Sequence, residues 1–204
     1  MPEVGSLPTV PRQGNRMEVA QHGQRWENRT GLVFAIDNHI VDGDTSAELD
    51  LKRLHKDGWI ELVLTDVIRT EWVDAKPARK AILEQLAIGY VEYWGPLTLD
   101  RSRLERSKLG TPEDQERLYR VFGILFPGTT MEASREQHTY DAMNVATAIR
   151  TGVNGFVTNE KRLQNKRHAI EAAFNGFSIF LPQRAVVTSN RMVAGWRVIE
   201  AKGR

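Results

Sequence analysis

The chain has 204 residues, is 41% hydrophobic, contains no cysteine and carries a net charge of +2. That length supports one sizeable domain whose core needs no covalent staple, and the missing cysteines exclude disulfide frameworks, thiolate metal sites and cysteine nucleophiles. No apolar run approaches the roughly 20 residues that span a bilayer, and residues 1–30 lack the apolar core of a signal peptide, so a cytoplasmic protein with no membrane partner is expected.

The charge is unevenly placed. Residues 161–204 hold nine Lys and Arg against two acids, a local +7 that leaves −5 on residues 1–160. A basic segment suits a polyanionic partner such as a nucleic acid, or is a solvated surface.

Residues 1–30, with Pro2, Pro8 and Pro11 and little periodicity, read as an N-terminal extension, flexible or laid on the domain that fills 31–204. Residues 32–36 (LVFAI) form an unbroken apolar run ended by Asp37, the signature of a buried strand in a parallel sheet. Thr45 and Glu48 are spaced as a capping box for a helix that Gly58 stops. Residues 59–64 predict a second strand, with Thr65-Asp66 starting the next helix. Pro77 opens another helix, and residues 90–94 suit a short strand. Residues 99–110 are strongly charged, a loop or an exposed helix. Residues 112–126 are amphipathic, with apolar positions for the core or for a dimer or antitoxin surface. Ser134-Arg135-Glu136-Gln137 offers a second capping box, for a helix ending at Gly152. Residues 155–158 form a strand, 166–174 a helix and 177–181 a last strand, and Pro182 begins a further helix. Strands alternating with helices predict a three-layer α/β/α sandwich around a mostly parallel sheet. Ligands of such sheets gather beyond the carboxyl ends of the strands.

Four acids stand where acids are uncommon. Asp37 ends the most apolar strand, and Glu160 follows the strand at 155–158. Glu71 falls on the apolar helical stripe of Val67, Ile68, Trp72 and Ala75, and Asp141 on that of Ala142, Val145, Ala148 and Ile149. Each has an ordinary alternative. Asp37 can cap the following segment, Glu71 can pair with Arg69 or Arg79, Asp141 can accept from a backbone N–H, and Glu160 can sit in a helical first turn. Together, four acids aimed at one sheet rim repel one another unless a cation joins them. With no Cys and no His pair at ligand spacing, the all-oxygen set favours Mg²⁺ or Mn²⁺, and phosphodiester hydrolysis is the chemistry such a site supports.

At these residues the chain resembles the PIN-domain family. The likeness covers about residues 31–185 and rests on residues 32–37, on 62–71 (LVLTDVIRTE) and above all on 138–160 (HTYDAMNVATAIRTGVNGFVTNE). The resemblance implies that Asp37, Glu71, Asp141 and Glu160 are the catalytic, metal-binding set, supported by Asn38, Thr158 and Asn159. It implies a Mg²⁺- or Mn²⁺-dependent endoribonuclease. Many bacterial members are VapC-like toxins restrained by an antitoxin. The chain departs from the family pattern at Asn38-His39, in Glu160 where Asp is usual, in the long interval from Glu71 to Asp141, and in its N-terminal extension. These departures bear on the toxin reading more than on the fold.

Lys161, Arg162, Lys166 and Arg167 follow the last acid directly and are the preferred contacts to an RNA backbone, with a solvated helix face as the alternative. His39 is a proton shuttle or an exposed loop histidine. The five tryptophans offer base-stacking surfaces, although their wide spacing favours core or surface packing for most of them. Two rival functions stay open. One is a PIN-like RNA- or protein-binding module with little activity. The other is a metal phosphohydrolase of a small substrate, although no P-loop, nucleophile elbow or dinucleotide fingerprint is present.

Overall fold

The computed structural model describes residues 28–72, 75–93, 95 and 110–202. Nearly all of the extension at 1–30 and of the charged stretch at 99–110 lies outside the described residues.

The chain runs β1 (Val33–Ile36), α1 (Asn38–Val41), α2 (Ser46–Lys56), β2 (Glu61–Thr65), α3 (Asp66–Glu71), α4 (Pro77–Ala87) and β3 (Val91–Tyr93). It continues through α5 (Pro112–Leu125), α6 (Glu136–Arg150), β4 (Gly155–Val157), α7 (Lys161–Asn165), α8 (Arg167–Ala173), β5 (Ser178–Phe180) and α9 (Pro182–Lys202). The five strands form one sheet in the order β3-β2-β1-β4-β5, with every neighbouring pair parallel.

Alternation along the strands divides the core between the two faces. Ala35, Val63, Phe156 and Ile179 turn to one face, where they meet Val121, Phe122 and Leu125 of α5 and Ala142, Val145 and Ala148 of α6. Their neighbours Phe34, Ile36, Leu62, Leu64, Val157 and Phe180 turn to the other, against Leu51 of α2, Ile68 and Trp72 at α3, and Leu83 of α4. Period-two side chains on a sheet covered on both sides make the expected three layers. The apolar positions of α5 are thus accounted for by core packing; Leu118, Val121, Phe122 and Leu125 are all buried.

Local chemistry explains the element ends. Thr45 Oγ1 accepts from Glu48 N while Glu48 Oε2 accepts from Thr45 N, closing the expected capping box on α2. Gly58 and Gly152 end their helices at φ +73° and +71°, a region that L side chains rarely enter. The capping box expected at Ser134 does not form. The N-cap is Arg135, without a side-chain bond, and Ser134 Oγ donates to the Met131 carbonyl at 2.9 Å in the turn before it. Thr65 belongs to β2 and also caps α3 by backbone position alone. Its hydroxyl donates across the molecule to Asn144 Oδ1.

The sheet leaves no room at Gly155, where a Cβ would stand 2.4 Å from the Ser178 carbonyl oxygen and 2.5 Å from the Phe180 ring. Gly155→Ala is therefore expected to lower stability by about 1–3 kcal/mol by prising β4 from β5. Urea unfolding of the two proteins checks this, and an unchanged midpoint would show that the strand pair yields at no cost.

Candidate carboxylate active site

Strand order positions the site. From β1 the chain adds strands on one side, β2 then β3, and afterwards crosses to add β4 and β5 on the other. The carboxyl ends of β1 and β4 therefore flank the point where the winding reverses, the place at which parallel α/β sheets open a crevice. Asp37 leaves β1 there and donates its backbone N–H to Val157 O of β4 at 2.9 Å.

Asp37 is held by both carboxylate oxygens. Oδ1 accepts from Asn38 N at 2.6 Å, capping α1, and Oδ2 accepts from the Thr158 hydroxyl at 2.5 Å. Thr158 Oγ1 accepts in turn from Glu160 N at 2.9 Å, so one buried hydroxyl couples the first acid to the last. The capping alternative for Asp37 is correct, and it holds the side chain at the rim. Asn38 supports the arrangement from outside, accepting from Trp72 Nε1 at 2.7 Å and tying α1 to the end of α3.

Glu71 at the end of α3 accepts from Asn144 Nδ2 at 3.1 Å. Arg79 pairs with Asp42 at 3.0 Å, and the Arg69 side chain lies outside the described residues. Asp141 is buried on α6, where its Oδ1 accepts from Gln137 Nε2 at 3.2 Å. Its Oδ2 has no hydrogen bond, although Arg162 Nη2 stands 3.2 Å away. The same guanidinium lies 3.7 Å from Glu160 Oε1. Glu160 occupies the N-cap position of α7 without making a side-chain cap.

The electrostatics of the four acids show that they share one environment. Burial pushes Glu71 up to about 8, and the charges of Asp37 and Asp141 push it the same way. Burial raises Asp141 to about 6 against the opposing pull of Gln137 and Arg162, with Asp37 and Glu160 adding to the rise. Asp37 is raised chiefly by burial, against the Thr158 hydrogen bond and the charge of His39, and Glu160 adds repulsion. His39 itself is exposed. Carboxylates that disfavour one another's ionisation while retaining hydrogen-bond donors form a set that gains from an added cation. Among the described residues, no three His, Asp or Glu side chains are gathered tightly enough to enclose a metal ion. Among the described residues, the Arg162 guanidinium stands beside two of these acids, Asp141 and Glu160.

Two residues are engaged otherwise than expected, Arg162 at this rim and Asn159 away from the acids it was expected to support. Arg162, expected on an RNA backbone, faces Asp141 at 3.2 Å and Glu160 at 3.7 Å. Asn159 donates to Glu48 Oε1 at 2.7 Å, anchoring the loop before Glu160 to the start of α2 instead of facing the acids. Arg167 pairs with Glu171 at 3.6 Å. Lys161 is exposed and Lys166 half-buried.

Sequence reasoning missed Asn144 and Gln137, and it read Glu48 as a helix cap without its contact to Asn159. Asn144 joins Thr65 to Glu71 and is buried, and Gln137 orients Asp141. Their spacing was a usable signal. Gln137 and Asn144 lie four before and three after Asp141, so all three share one helical face that is otherwise apolar.

Compared with protein-family models, curated proteins and solved structures, the chain matches none of them.

Proposed function

We propose that this chain is a divalent-metal-dependent nuclease of PIN-like type that hydrolyses RNA phosphodiester bonds, with Asp37, Glu71, Asp141 and Glu160 as its acidic set. One observation supports the reading: four carboxylates from four separate elements lie near the winding reversal of a parallel sheet, close enough to act on one another's charge, and three of them are held above their ordinary pKa values. The residues suit a hard cation, since every donor is oxygen and Asp141 Oδ2 is buried without a hydrogen bond. A bound Mg²⁺ or Mn²⁺ supplies Lewis acidity toward phosphoryl oxygen and makes water a better nucleophile. The chain's own residues do the rest. Asp37 presents a half-buried carboxylate and Asp141 a buried one; Thr158 orients the first, Gln137 the second, and Asn144 holds Glu71. RNA is preferred over a small phosphoester because residues 161–204 carry +7 and begin at the site.

The test is cleavage of a mixed single-stranded RNA by the full chain in EDTA, Mg²⁺ and Mn²⁺. Metal-stimulated cleavage is expected. Turnover of nitrophenyl phosphate without RNA cleavage would favour a small-substrate hydrolase instead. A second reading, a PIN-like binding module with little activity, draws on Arg162 standing among the acids. It predicts salt-sensitive RNA binding with no cleavage in any metal.

A further inference from the structure

We infer that Arg162 is the resident counter-ion of the carboxylate rim, and that a divalent cation enters by displacing it, so this one side chain sets the threshold for metal uptake. The inference rests on the metal reading above and adds to it a competitor built into the chain.

The guanidinium is in the right place to compete. It bridges acids from two elements, standing 3.2 Å from Asp141 Oδ2 on α6 and 3.7 Å from Glu160 Oε1 ahead of α7. Those are the oxygens that a cation at the rim would need, and a carboxylate oxygen facing Arg162 is not free to face a metal.

The guanidinium is also loosely held. Arginine binds carboxylates best through two parallel N–H···O bonds, and Arg162 makes no such fork. Asp141 Oδ2 receives no hydrogen bond despite the short approach, and Arg162 Nε is buried with no partner. Its remaining support is the Phe126 ring, 5.4 Å below the guanidinium carbon, which stacks on His138 with centroids 4.3 Å apart. The side chain is 35% exposed, so a path to solvent is open. A divalent ion brings twice the charge to these acids without needing the guanidinium's planar geometry. Release of Arg162 also lets its Nε–H donate a hydrogen bond to water.

Charge balance explains why the chain would keep such a residue. Without metal, an unaccompanied acid cluster in a buried rim opposes folding. One internal cation offsets part of that repulsion and leaves when a better one arrives.

The experiment is a Mn²⁺ titration of full-length wild type, Arg162→Gln and Arg162→Lys by calorimetry at one near-neutral pH, with thermal melts in chelator and in Mn²⁺. Arg162→Gln is expected to bind Mn²⁺ about tenfold more tightly than wild type, because a positive charge a few ångströms away has been removed. Its melting temperature in chelator should fall and its metal-induced rise should exceed that of wild type. Arg162→Lys keeps the charge and should stay within about threefold of wild type in affinity. If Arg162→Gln does not fold without metal, the lysine variant and the melt in Mn²⁺ still decide: a lysine variant that binds tenfold more weakly than wild type would make Arg162 an anchor of the site. Wild-type uptake with no tighter binding by Arg162→Gln overturns this inference and leaves the metal site standing. No uptake by any of the three overturns the metal reading, and this inference with it.

Discussion

Asp141→Asn is expected to abolish metal-stimulated RNA cleavage while leaving the fold intact. Asparagine keeps the size of the side chain and one oxygen for Gln137 Nε2, now 3.2 Å from Oδ1. It loses the negative charge that would hold a cation. Losing a metal's contribution of several kcal/mol to the transition state corresponds to a rate loss on the order of a thousandfold. Stability should move the other way. Burial raises the Asp141 carboxyl to about 6, so at neutral pH its ionised form is held in the fold at a cost that the neutral amide does not carry. The expected result is therefore an inactive protein whose melting temperature in chelator equals or exceeds that of wild type. Single-turnover cleavage and a melt of the same preparation check both halves. Full activity in Asp141→Asn would remove Asp141 from the reaction. An inactive protein that melts early would show only that Asp141 matters to the fold.

The second large effect is on stability against pH, and Glu71 dominates it. Its carboxyl sits at about 8 in the folded protein against an ordinary 4.5, through burial and then through the charges of Asp37 and Asp141. Between those values the folded chain keeps a proton that the unfolded chain has released. Stability is therefore fully present below about pH 4.5, declines as pH rises, and levels off above about 8. Asp141 adds a decline of the same sign between 3.8 and about 6. Melts in chelator from acid to alkaline pH should show this fall, and Glu71→Gln should flatten its upper part. Above pH 8 the variant should melt higher than wild type, on the order of 5 °C after allowance for the partial exposure of Glu71. Mn²⁺ favours the ionised carboxylates, so the metal-induced rise of wild type should grow with pH over the same window. Parallel curves for wild type and Glu71→Gln would mean that Glu71 ionises freely and stands outside the cluster.

The two effects share one origin. The rim is a place where the fold tolerates charge repulsion that a core would normally exclude, and such tolerance is common where chemistry is done. The same repulsion explains why Arg162 turns inward. A guanidinium at the rim could otherwise remain in water, as the exposed Lys161 beside it does.

Much of the architecture was legible in the sequence because it depends on local physics. The run at residues 32–36 is apolar throughout, so it had to be a strand covered on both faces, and β1 is that strand. Thr45 and Glu48 cap α2 as their spacing required, and Pro77 and Pro112 each open a helix. Asp37 after an apolar strand, and Glu71 and Asp141 on apolar stripes, were visible as acids out of place. Ser134 shows where local pattern fails. Its hydroxyl donates to the Met131 carbonyl of the turn before it, and the helix begins one residue later, with Arg135 as its N-cap.

Only the tertiary structure decided that these acids belong to one rim. Periodicity says that a segment is a strand but not which strand lies beside it. The meeting of Asp37 with Thr158 and Glu160 depends on β4 crossing to pair with β1, 121 positions away in sequence at the Asp37–Thr158 hydrogen bond. The partners of the acids were hidden for the same reason. Asn144 bridges Thr65 and Glu71 from a third element, Asn159 reaches back to Glu48, and Arg162 turns from solvent to Asp141. The sequence by itself determined which residues were unusual, through hydrophobic pattern and side-chain chemistry. The order of the strands determined which of them touch, because contacts between distant segments follow from how the chain is wound and not from its local composition.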